Sequence, residues 1–220
     1  MRWLVRSTMT MALLICSCIP VDEQPPDLLV FAAASLTNAF NDISKEFERS
    51  SGLRIINAYG ASQMLAQQIA NGAPADVFIS AGEFPIDFLS NRGLLVSDAT
   101  EIINNTLVIV VRDKYKIESE SIDDLMIELS GEFAIADPAL SPAGMYAKEF
   151  MINLGVWESI ESTIVFAPDV RVALAYVESG NVGAAIVYKT DAIMSNKVRV
   201  FDIIPNGIHS RIIYPAAIIV

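Results

Sequence analysis

The sequence predicts an α/β protein with mixed, mainly parallel sheets, and three observations carry this prediction. From Leu28 onward, short apolar runs alternate with stretches whose apolar residues recur at helical spacing. Glycine follows the end of five predicted helices, where a left-handed residue commonly closes a helix, at Gly52, Gly72, Gly93, Gly155 and Gly180. Hydrophobic residues make up 53% of the 220 residues and charged residues 19%, which suits a packed core rather than a disordered chain.

The elements follow in order from these patterns. Short apolar runs predict strands at 28–33, 53–58, 76–80, 106–111, 133–137, 163–166, 183–188, 198–203 and 212–219. Helical spacing of apolar residues predicts helices at 36–50, 62–71, 84–91, 122–129, 144–154, 169–179 and 189–195. In the first helix, for example, the repeating residues are Leu36, Phe40, Ile43 and Phe47.

Two apolar strands suggest that the chain passes between two lobes. The strand from Thr106 to Val111 lies halfway along the chain and could leave one sheet for another, and 198–203 could return. This interpretation assigns 28–107 plus 198–220 to lobe 1 and 108–197 to lobe 2, with a ligand cleft between them. A single continuous doubly wound sheet remains the alternative that the pattern leaves open.

The N-terminus resembles an export signal over residues 1–18, followed by a proline-rich tether over 19–27. Arg2 and Arg6 precede a short apolar run that is too short to span a bilayer. The sequence Ile15-Cys16-Ser17-Cys18 resembles a lipobox, so we expect lipidation of Cys18, with Cys16 or an unmodified secretory signal as alternatives. No cysteine follows Cys18, so the folded part has neither a disulfide nor a cysteine metal site.

Composition disfavours several classes of function. The net charge of −11 argues against nucleic acid as a partner, because phosphates need a basic surface. The sequence contains one histidine, His209, which excludes a three-histidine zinc site and disfavours a Ser–His–Asp triad. It contains neither a Gly-x-Ser-x-Gly elbow nor a phosphate-binding P-loop. We therefore expect no enzyme, and we interpret His209 as a solvated turn residue.

Four strand-to-helix junctions favour binding of an anion instead. Ser35 and Ser62 each stand at such a junction, and the segments 138–144 and 167–171 form two more. The Ser35 hydroxyl could cap its helix, or it could point at an anion together with the free amide groups of the first turn. Asp169 is interpreted as an N-cap, with an acceptor for a protonated oxyanion as the alternative. Tyr188 could add a phenolic donor.

Five motifs in the same order resemble those of periplasmic molybdate-binding proteins, the substrate-binding subunits of molybdate ABC importers. They are Phe31 to Ala39, Ala73 to Ala81, Asp137-Pro138 with Pro142 to Glu149, Pro168 to Arg171, and Gly183 to Tyr188. The resemblance runs from about Leu28 to Val220. It implies the two-lobed type II periplasmic-binding-protein fold, with the ligand in the cleft.

The resemblance also implies the ligand residues and the partners. The oxyanion ligands would be the hydroxyls of Ser35, Ser62 and Tyr188 and the backbone amides of Ala143 and Val170. The expected partners are molybdate or tungstate and a membrane permease, with no cofactor and no bare metal ion. A monomer is expected, in the periplasm or lipid-anchored at the outer face of the cytoplasmic membrane.

The chemistry of these residues suits a bare tetrahedral dianion. Neutral donors and helix amides can stabilise a fully ionised oxyanion without lysine or arginine. Sulfate is smaller, so the same donors would lie too far from its oxygens. Another oxyanion, a small organic anion, and an exported serine enzyme with Ser35 as nucleophile are the competing functions.

Two positions depart from the family pattern. Gly82 stands where the family usually has an acidic or polar residue, which predicts a looser loop. The chain stops at Val220 within a predicted strand, whereas the resemblance implies further helices that pack on the first lobe. We therefore expect a C-terminally shortened chain with some apolar surface exposed.

Overall fold

The computed structural model describes residues 27–113, 118–119, 121–129 and 132–220. The expected signal at 1–18, nearly all of the tether and both cysteines lie outside the described residues. Within the described residues, no helix is long and apolar enough to cross a membrane.

Ten strands and eight α-helices alternate along the described part of the chain. The strands are β1 Leu28–Ala33, β2 Ile55–Gly60, β3 Val77–Ile79, β4 Thr100–Asn104, β5 Leu107–Arg112, β6 Phe133–Ala136, β7 Val165–Ala167, β8 Ala184–Tyr188, β9 Val198–Ile203 and β10 Ile213–Ile218. The helices are α1 Thr37–Ser51, α2 Ser62–Ala70, α3 Glu83–Ser90, α4 Ile122–Glu128, α5 Pro142–Leu154, α6 Trp157–Ile160, α7 Val170–Ser179 and α8 Lys189–Ile193. Two short 3₁₀ turns occupy Ala34–Leu36 and Glu161–Thr163.

The sequence pattern missed two elements, β4 and α6. Strand β4 is exposed along its whole length, and only two of its five residues are apolar, Ile102 and Ile103. It therefore lacks the apolar run that signals a strand. Helix α6 is a single turn of four residues, which is too short to display helical spacing.

The strands form two five-stranded sheets. The first has the order β2-β1-β3-β10-β4 and the second the order β7-β6-β8-β5-β9. In each sheet the described strands make two parallel and two antiparallel pairings, so both sheets are mixed, as expected, although parallel pairs are not the majority. The antiparallel pairs arise because β5 and β10, which follow the two crossovers between the sheets, run against both of their neighbours.

The expected return point of the chain is wrong for one strand. Strand β9, at 198–203, pairs with β5 in the second sheet, with Val108 opposite Ile203, so it does not belong to lobe 1. Leu107 likewise lies in β5 rather than in the first sheet. An apolar strand does not reveal from its own residues which sheet it joins, because pairing is a long-range choice.

The two crossovers therefore lie at residues 105–106 and 204–212. They run side by side, since the amide of Asn105 donates to the carbonyl of Ile212 at 3.2 Å. These two adjacent crossover segments are where a hinge between the sheets would lie.

The second sheet has the more completely buried core. Residues 107–111 of β5 are 0% exposed, and they pack among the helices on both faces of that sheet. In the first lobe, Phe40 packs near Val30, whereas Ile43 and Phe47 on the same stripe of α1 are 57% and 39% exposed. Only part of the apolar stripe on α1 therefore packs against the sheet.

Candidate functional site

The carboxyl ends of six strands meet where the two sheets face each other, and the predicted ligand residues lie there. Ligands of open α/β sheets commonly bind at this edge. Four of the five, Ser35, Ser62, Val170 and Tyr188, line one small cavity. Ala143 itself does not line it, but the two residues before it, Ser141 and Pro142, do. The cavity is about the size of one bound water molecule.

Ser35 does not cap helix α1, contrary to one of the two expectations. It lies within the 3₁₀ turn Ala34–Leu36, and it makes no capping hydrogen bond. Its Oγ instead lies 2.9 Å from the Oη of Tyr214, and the serine is 8% exposed. The first turn is held by Thr37, whose hydroxyl donates to the carbonyl of Ala34. The Ser35 hydroxyl is therefore free of a capping role.

Ser62 is the first residue of α2 and is 1% exposed. Its Oγ accepts a hydrogen bond from the amide of Ala81 at 3.1 Å, which holds the loop after β3 against the start of α2. Beside it, the amide of Gln63 donates to the carbonyl of Leu140 in the other lobe at 3.1 Å. The start of α2 thus contacts both the cavity and the facing lobe.

Helix α5 brings its first turn to the cavity from the second lobe. Pro142 is its first residue, where the missing amide hydrogen costs nothing. A Cβ on Gly144 would lie 2.1 Å from the carbonyl oxygen of Ala136, so glycine is required for this approach of helix to strand end. The amides of the first turn, including that of Ala143, have no partner within the helix. Ser141, which precedes this helix, is 4% exposed, and sequence reasoning did not select it.

Helix α7 begins at Val170, and Asp169 caps it as expected. The Oδ1 of Asp169 accepts hydrogen bonds from the amides of Arg171 at 2.8 Å and Val172 at 3.0 Å. The carboxylate is therefore engaged by its own helix, although Asp169 also lines the cavity. Val170 is 3% exposed and follows the cap directly.

Tyr188, at the end of β8, closes the cavity with a neutral hydroxyl. Its Oη donates to the carbonyl of Ala81 across the cleft at 3.3 Å. Burial raises the pKa of Tyr188 well above its ordinary value, with the neighbouring Tyr214 contributing to the same shift. Its phenol therefore keeps its proton at neutral pH and can serve as a donor.

Taken together, the cavity is lined by hydroxyls and the first turns of helices. Such a set can replace the hydration of an anion without a cationic side chain. Within the described residues, no group of three or more His, Cys, Asp or Glu side chains could hold a metal ion. The arrangement is chemically suited to an anion.

Comparison with known proteins identifies the family. The family model described as bacterial extracellular solute-binding protein matches residues 28–220. This chain belongs to that family. The two-lobed fold expected from the sequence is thereby confirmed.

Within this family, three similar proteins are informative about the ligand class. The molybdate-binding protein ModA of Escherichia coli (strain K12) is 36% identical over 87% of this chain and 77% of its own length. YvgL of Bacillus subtilis (strain 168), named as a candidate ABC transporter substrate-binding lipoprotein, is 38% identical over 90% of this chain and 76% of its own. A solved substrate-binding domain of a candidate molybdenum ABC transporter from Clostridium difficile is 35% identical, with a TM-score of 0.64 over 88% of this chain and 84% of that one. The resemblance to molybdate-binding proteins is confirmed.

The solute-binding protein also has a charged contact across the cleft that sequence reasoning missed. The Nε of Arg171 lies 2.7 Å from the Oδ1 of Asp191, whose side chain is fully buried. One terminal nitrogen of Arg171 donates to the Oδ1 of Asn38 in the other lobe at 2.7 Å. No local pattern could have found this contact, because Asn38 and Arg171 are 133 residues apart.

His209 is buried, which makes the interpretation as a solvated turn residue wrong. It is 7% exposed, its Nδ1 lies 2.7 Å from the carbonyl of Ser210, and its ring faces Tyr146 at 6.0 Å. The cause is the second crossover, which docks on α5 through bonds from Ser210 to Glu149 and from Asn153 to the carbonyl of Ile208. Among the residues that the structure describes, the cavity lining does not include His209, and the hydroxyl of Ser35 pairs with that of Tyr214.

Gly82 fits tightly against the facing lobe. A Cβ at this position would lie 2.9 Å from the Cβ of Pro142 and 2.9 Å from the Oη of Tyr146. The hydroxyl of Ser80 also donates to the carbonyl of Gly82 at 2.6 Å. The loop expected to be loose is instead hydrogen-bonded and packed between the lobes.

Proposed function

We propose that this protein captures molybdate or tungstate in the cleft and delivers it to an ABC permease. The ligands would be the hydroxyls of Ser35, Ser62 and Tyr188 and the amides of Ala143 and Val170. The observation that carries the proposal is the convergence of neutral donors from both lobes on one small cavity. The names of the relatives, a molybdate-binding protein and a candidate molybdenum transporter, support the same ligand.

Binding requires rearrangement of the present hydrogen bonds. Ser62 and Tyr188 are both engaged with Ala81, and an oxyanion of five heavy atoms is larger than the water-sized space between them. We therefore expect the lobes to separate slightly and the cleft then to close around the ligand. The amides of the helix ends would stay in place, because each belongs to a packed helix.

The donor set explains the expected selectivity. A cavity that offers donors suits a fully ionised dianion, whereas a protonated oxyanion needs an acceptor for its own hydrogen. Asp169 is the nearest carboxylate, and its Oδ1 is occupied by the amides of Arg171 and Val172. Molybdate and tungstate are nearly equal in size, so the site should separate them poorly. Sulfate is smaller and should bind more weakly.

The name of a relative and the N-terminal sequence, rather than the cavity, support delivery to a permease and attachment to the membrane. The Bacillus relative carries the words ABC transporter and lipoprotein in its name. Cys18, with Cys16 as the alternative, is the expected acylation site, and the tether at 19–27 would hold the folded part near the membrane. Mass spectrometry of the protein from its native membrane would detect the acyl group.

Calorimetric titration of the purified protein with molybdate, tungstate, sulfate and phosphate tests the ligand. We expect molybdate and tungstate to bind within about tenfold of each other, and sulfate and phosphate to bind at least about a hundredfold more weakly. Folded protein that binds neither molybdate nor tungstate would reject the proposal. Tighter binding of another oxyanion or a small organic anion would replace the ligand and keep the binding role.

A further inference from the structure

A chain of hydrogen bonds leads from the first crossover to the cavity, and its starting point has a fixed direction. The Oδ1 of Asn105 accepts a hydrogen bond from the amide of Thr106 at 2.9 Å. A backbone amide can only donate, so the oxygen of the Asn105 side chain must lie on that side. Its Nδ2 then points the other way, to the Oη of Tyr214 at 3.0 Å and the Oγ1 of Thr190 at 2.9 Å.

Tyr214 continues the chain with its proton directed toward Ser35. The Oη of Tyr214 lies 3.0 Å from Asn105 Nδ2 and 2.9 Å from Ser35 Oγ, and the hydroxyl of Tyr188 is a further hydrogen-bonding neighbour. Burial raises the pKa of Tyr214, which is 0% exposed, so the phenol stays protonated. Because Asn105 donates to its oxygen, the hydrogen of Tyr214 is available for Ser35 Oγ.

The last member of the chain is Ser35, which lines the cavity. A serine oxygen that accepts from Tyr214 retains its own hydrogen for a different acceptor. We propose that Asn105 and Tyr214 are positioning residues that aim the Ser35 hydrogen into the cavity, so that this serine meets the ligand as a donor. This inference rests on the proposed function, since it concerns the same oxyanion site.

The orientation has a consequence for selectivity. A bare dianion gains a hydrogen bond from Ser35 at no cost in reorientation, because the hydroxyl is already turned toward it. Reversing the chain would turn the lone pairs of Ser35 toward the ligand, which disfavours a bare dianion and suits the hydroxyl of hydrogen phosphate. The series of hydrogen bonds begins at Asn105, outside the cavity. Its direction can therefore be reversed without altering any residue that lines the cavity.

The substitution Asn105→Asp reverses the chain. One carboxylate oxygen still accepts from the amide of Thr106, and the other replaces the donor Nδ2 and accepts the hydrogen of Tyr214. Tyr214 then accepts from Ser35, whose hydrogen leaves the cavity. We expect the affinity for molybdate to fall by about tenfold or more, the range for removing one buried donor. The ratio of molybdate affinity to phosphate affinity should fall as well.

Thr190→Asp is the matched control for the added negative charge. Thr190 is exposed and already accepts from Asn105 Nδ2, so a carboxylate there keeps the direction of the chain. We expect it to weaken molybdate binding by less than about threefold at physiological ionic strength, where exposed charges are largely screened. A loss equal to that of Asn105→Asp would attribute the effect to charge and overturn the proposal.

Tyr214→Phe supplies the second variant, because it removes the link between Asn105 and Ser35. In a Tyr214→Phe background, Asn105→Asp should change molybdate affinity no more than Thr190→Asp does. Persistence of the full Asn105→Asp effect would overturn the proposal, and so would unchanged affinity in the single variant. Circular dichroism and urea unfolding show whether each variant folds. If the double variant does not fold, the single variant Tyr214→Phe must lower the ratio of molybdate affinity to phosphate affinity.

The wild-type titration separates this inference from the function on which it rests. If the wild-type protein binds neither molybdate nor tungstate, the proposed function fails and this inference fails with it. If the wild-type protein binds molybdate while the variants leave affinity and selectivity unchanged, only the positioning role is overturned.

Discussion

The guanidinium of Arg171, in the first turn of helix α7, lies 2.7 Å from the carboxylate of Asp191 in helix α8. The carboxylate is fully buried, whereas a quarter of the arginine side chain is exposed. A buried carboxylate without a partner is costly, so the arginine is held in place by that charge. From this position it reaches Asn38 in the other lobe.

The first prediction concerns the loss of this arginine. Arg171→Met keeps the apolar stem but removes the cation beside the buried Asp191, and we expect a loss of about 1–2 kcal/mol in the free energy of unfolding at pH 8, because the carboxyl then takes up a proton and its penalty stops growing. Urea unfolding measures it. The double variant Arg171→Met/Asp191→Asn should recover most of the loss, because no buried charge remains. A double variant as unstable as the single one would contradict the explanation.

The second prediction concerns pH. Burial raises the pKa of Asp191 from its ordinary 3.8 to about 7, against the lowering effect of Arg171 and with a smaller rise from Asp169. Between these values the folded state binds a proton that the unfolded state releases. The stability that this carboxyl contributes is therefore complete below about pH 4 and is lost as the pH rises through about 7.

Comparison with Asp191→Asn isolates this titration from the other carboxylates. The free energy of unfolding of the wild type, minus that of the variant, should decrease from pH 4 to pH 7 and level off above. Urea unfolding at several pH values provides the measurement. A difference that stays constant or rises over this range would show that Asp191 has no raised pKa.

Much of the candidate site could be predicted from the sequence, because its parts are local. Each junction consists of an apolar strand, a small or capping residue and a helix, and these follow one another within about ten residues. The strand β1 with Ser35 and the cap Asp169 with α7 are examples. The structure places them around the same cavity.

The features that the sequence could not predict depend on distant parts of the chain. Ser35 pairs with Tyr214, 179 residues away, and nothing local marks Tyr214 as its partner. His209 stands in a polar segment, yet it is buried because that segment docks on α5. Strand β9 joins the second sheet through pairing with β5, a choice that its own apolar residues do not encode.

The third prediction tests the contact between the lobes. Asn38→Ala removes the acceptor for Arg171 and leaves the ion pair with Asp191 intact. Asn38 is exposed, so the free energy of unfolding should change by less than about 0.5 kcal/mol. The dissociation rate of molybdate should rise by about two- to tenfold, because the closed cleft loses a hydrogen bond to a charged group. Stopped-flow displacement by tungstate measures the rate, and an unchanged rate would mean that the bond does not hold the cleft closed.

The fourth prediction tests Ser62 as a ligand. Ser62→Ala removes a buried hydroxyl that now accepts from the amide of Ala81. We expect molybdate affinity to fall by a factor of about 5 to 150, the equivalent of 1–3 kcal/mol. Ser159→Ala, on the exposed surface of α6, is the control and should leave the affinity unchanged. An unaltered affinity in Ser62→Ala would assign this hydroxyl to holding the Ala81 loop alone.

The fifth prediction tests how closely the lobes approach at Gly82. An added Cβ would meet Pro142 and Tyr146 of the facing lobe at 2.9 Å, which is closer than a Cβ normally comes to another atom. The backbone at Gly82 is extended, with φ of 179°, so alanine introduces no strain within its own chain. Gly82→Ala should therefore act only as a wedge between the lobes.

We expect this wedge to weaken molybdate binding about tenfold or more and to change the free energy of unfolding by less than about 1 kcal/mol, because the clash exists only in the closed cleft. Small-angle scattering with molybdate bound should give a larger radius of gyration for the variant than for the wild type. Ser90→Ala, exposed at the end of α3 in the same lobe, is the control. Full affinity in Gly82→Ala would mean that the lobes bind the ligand without approaching this closely at residue 82.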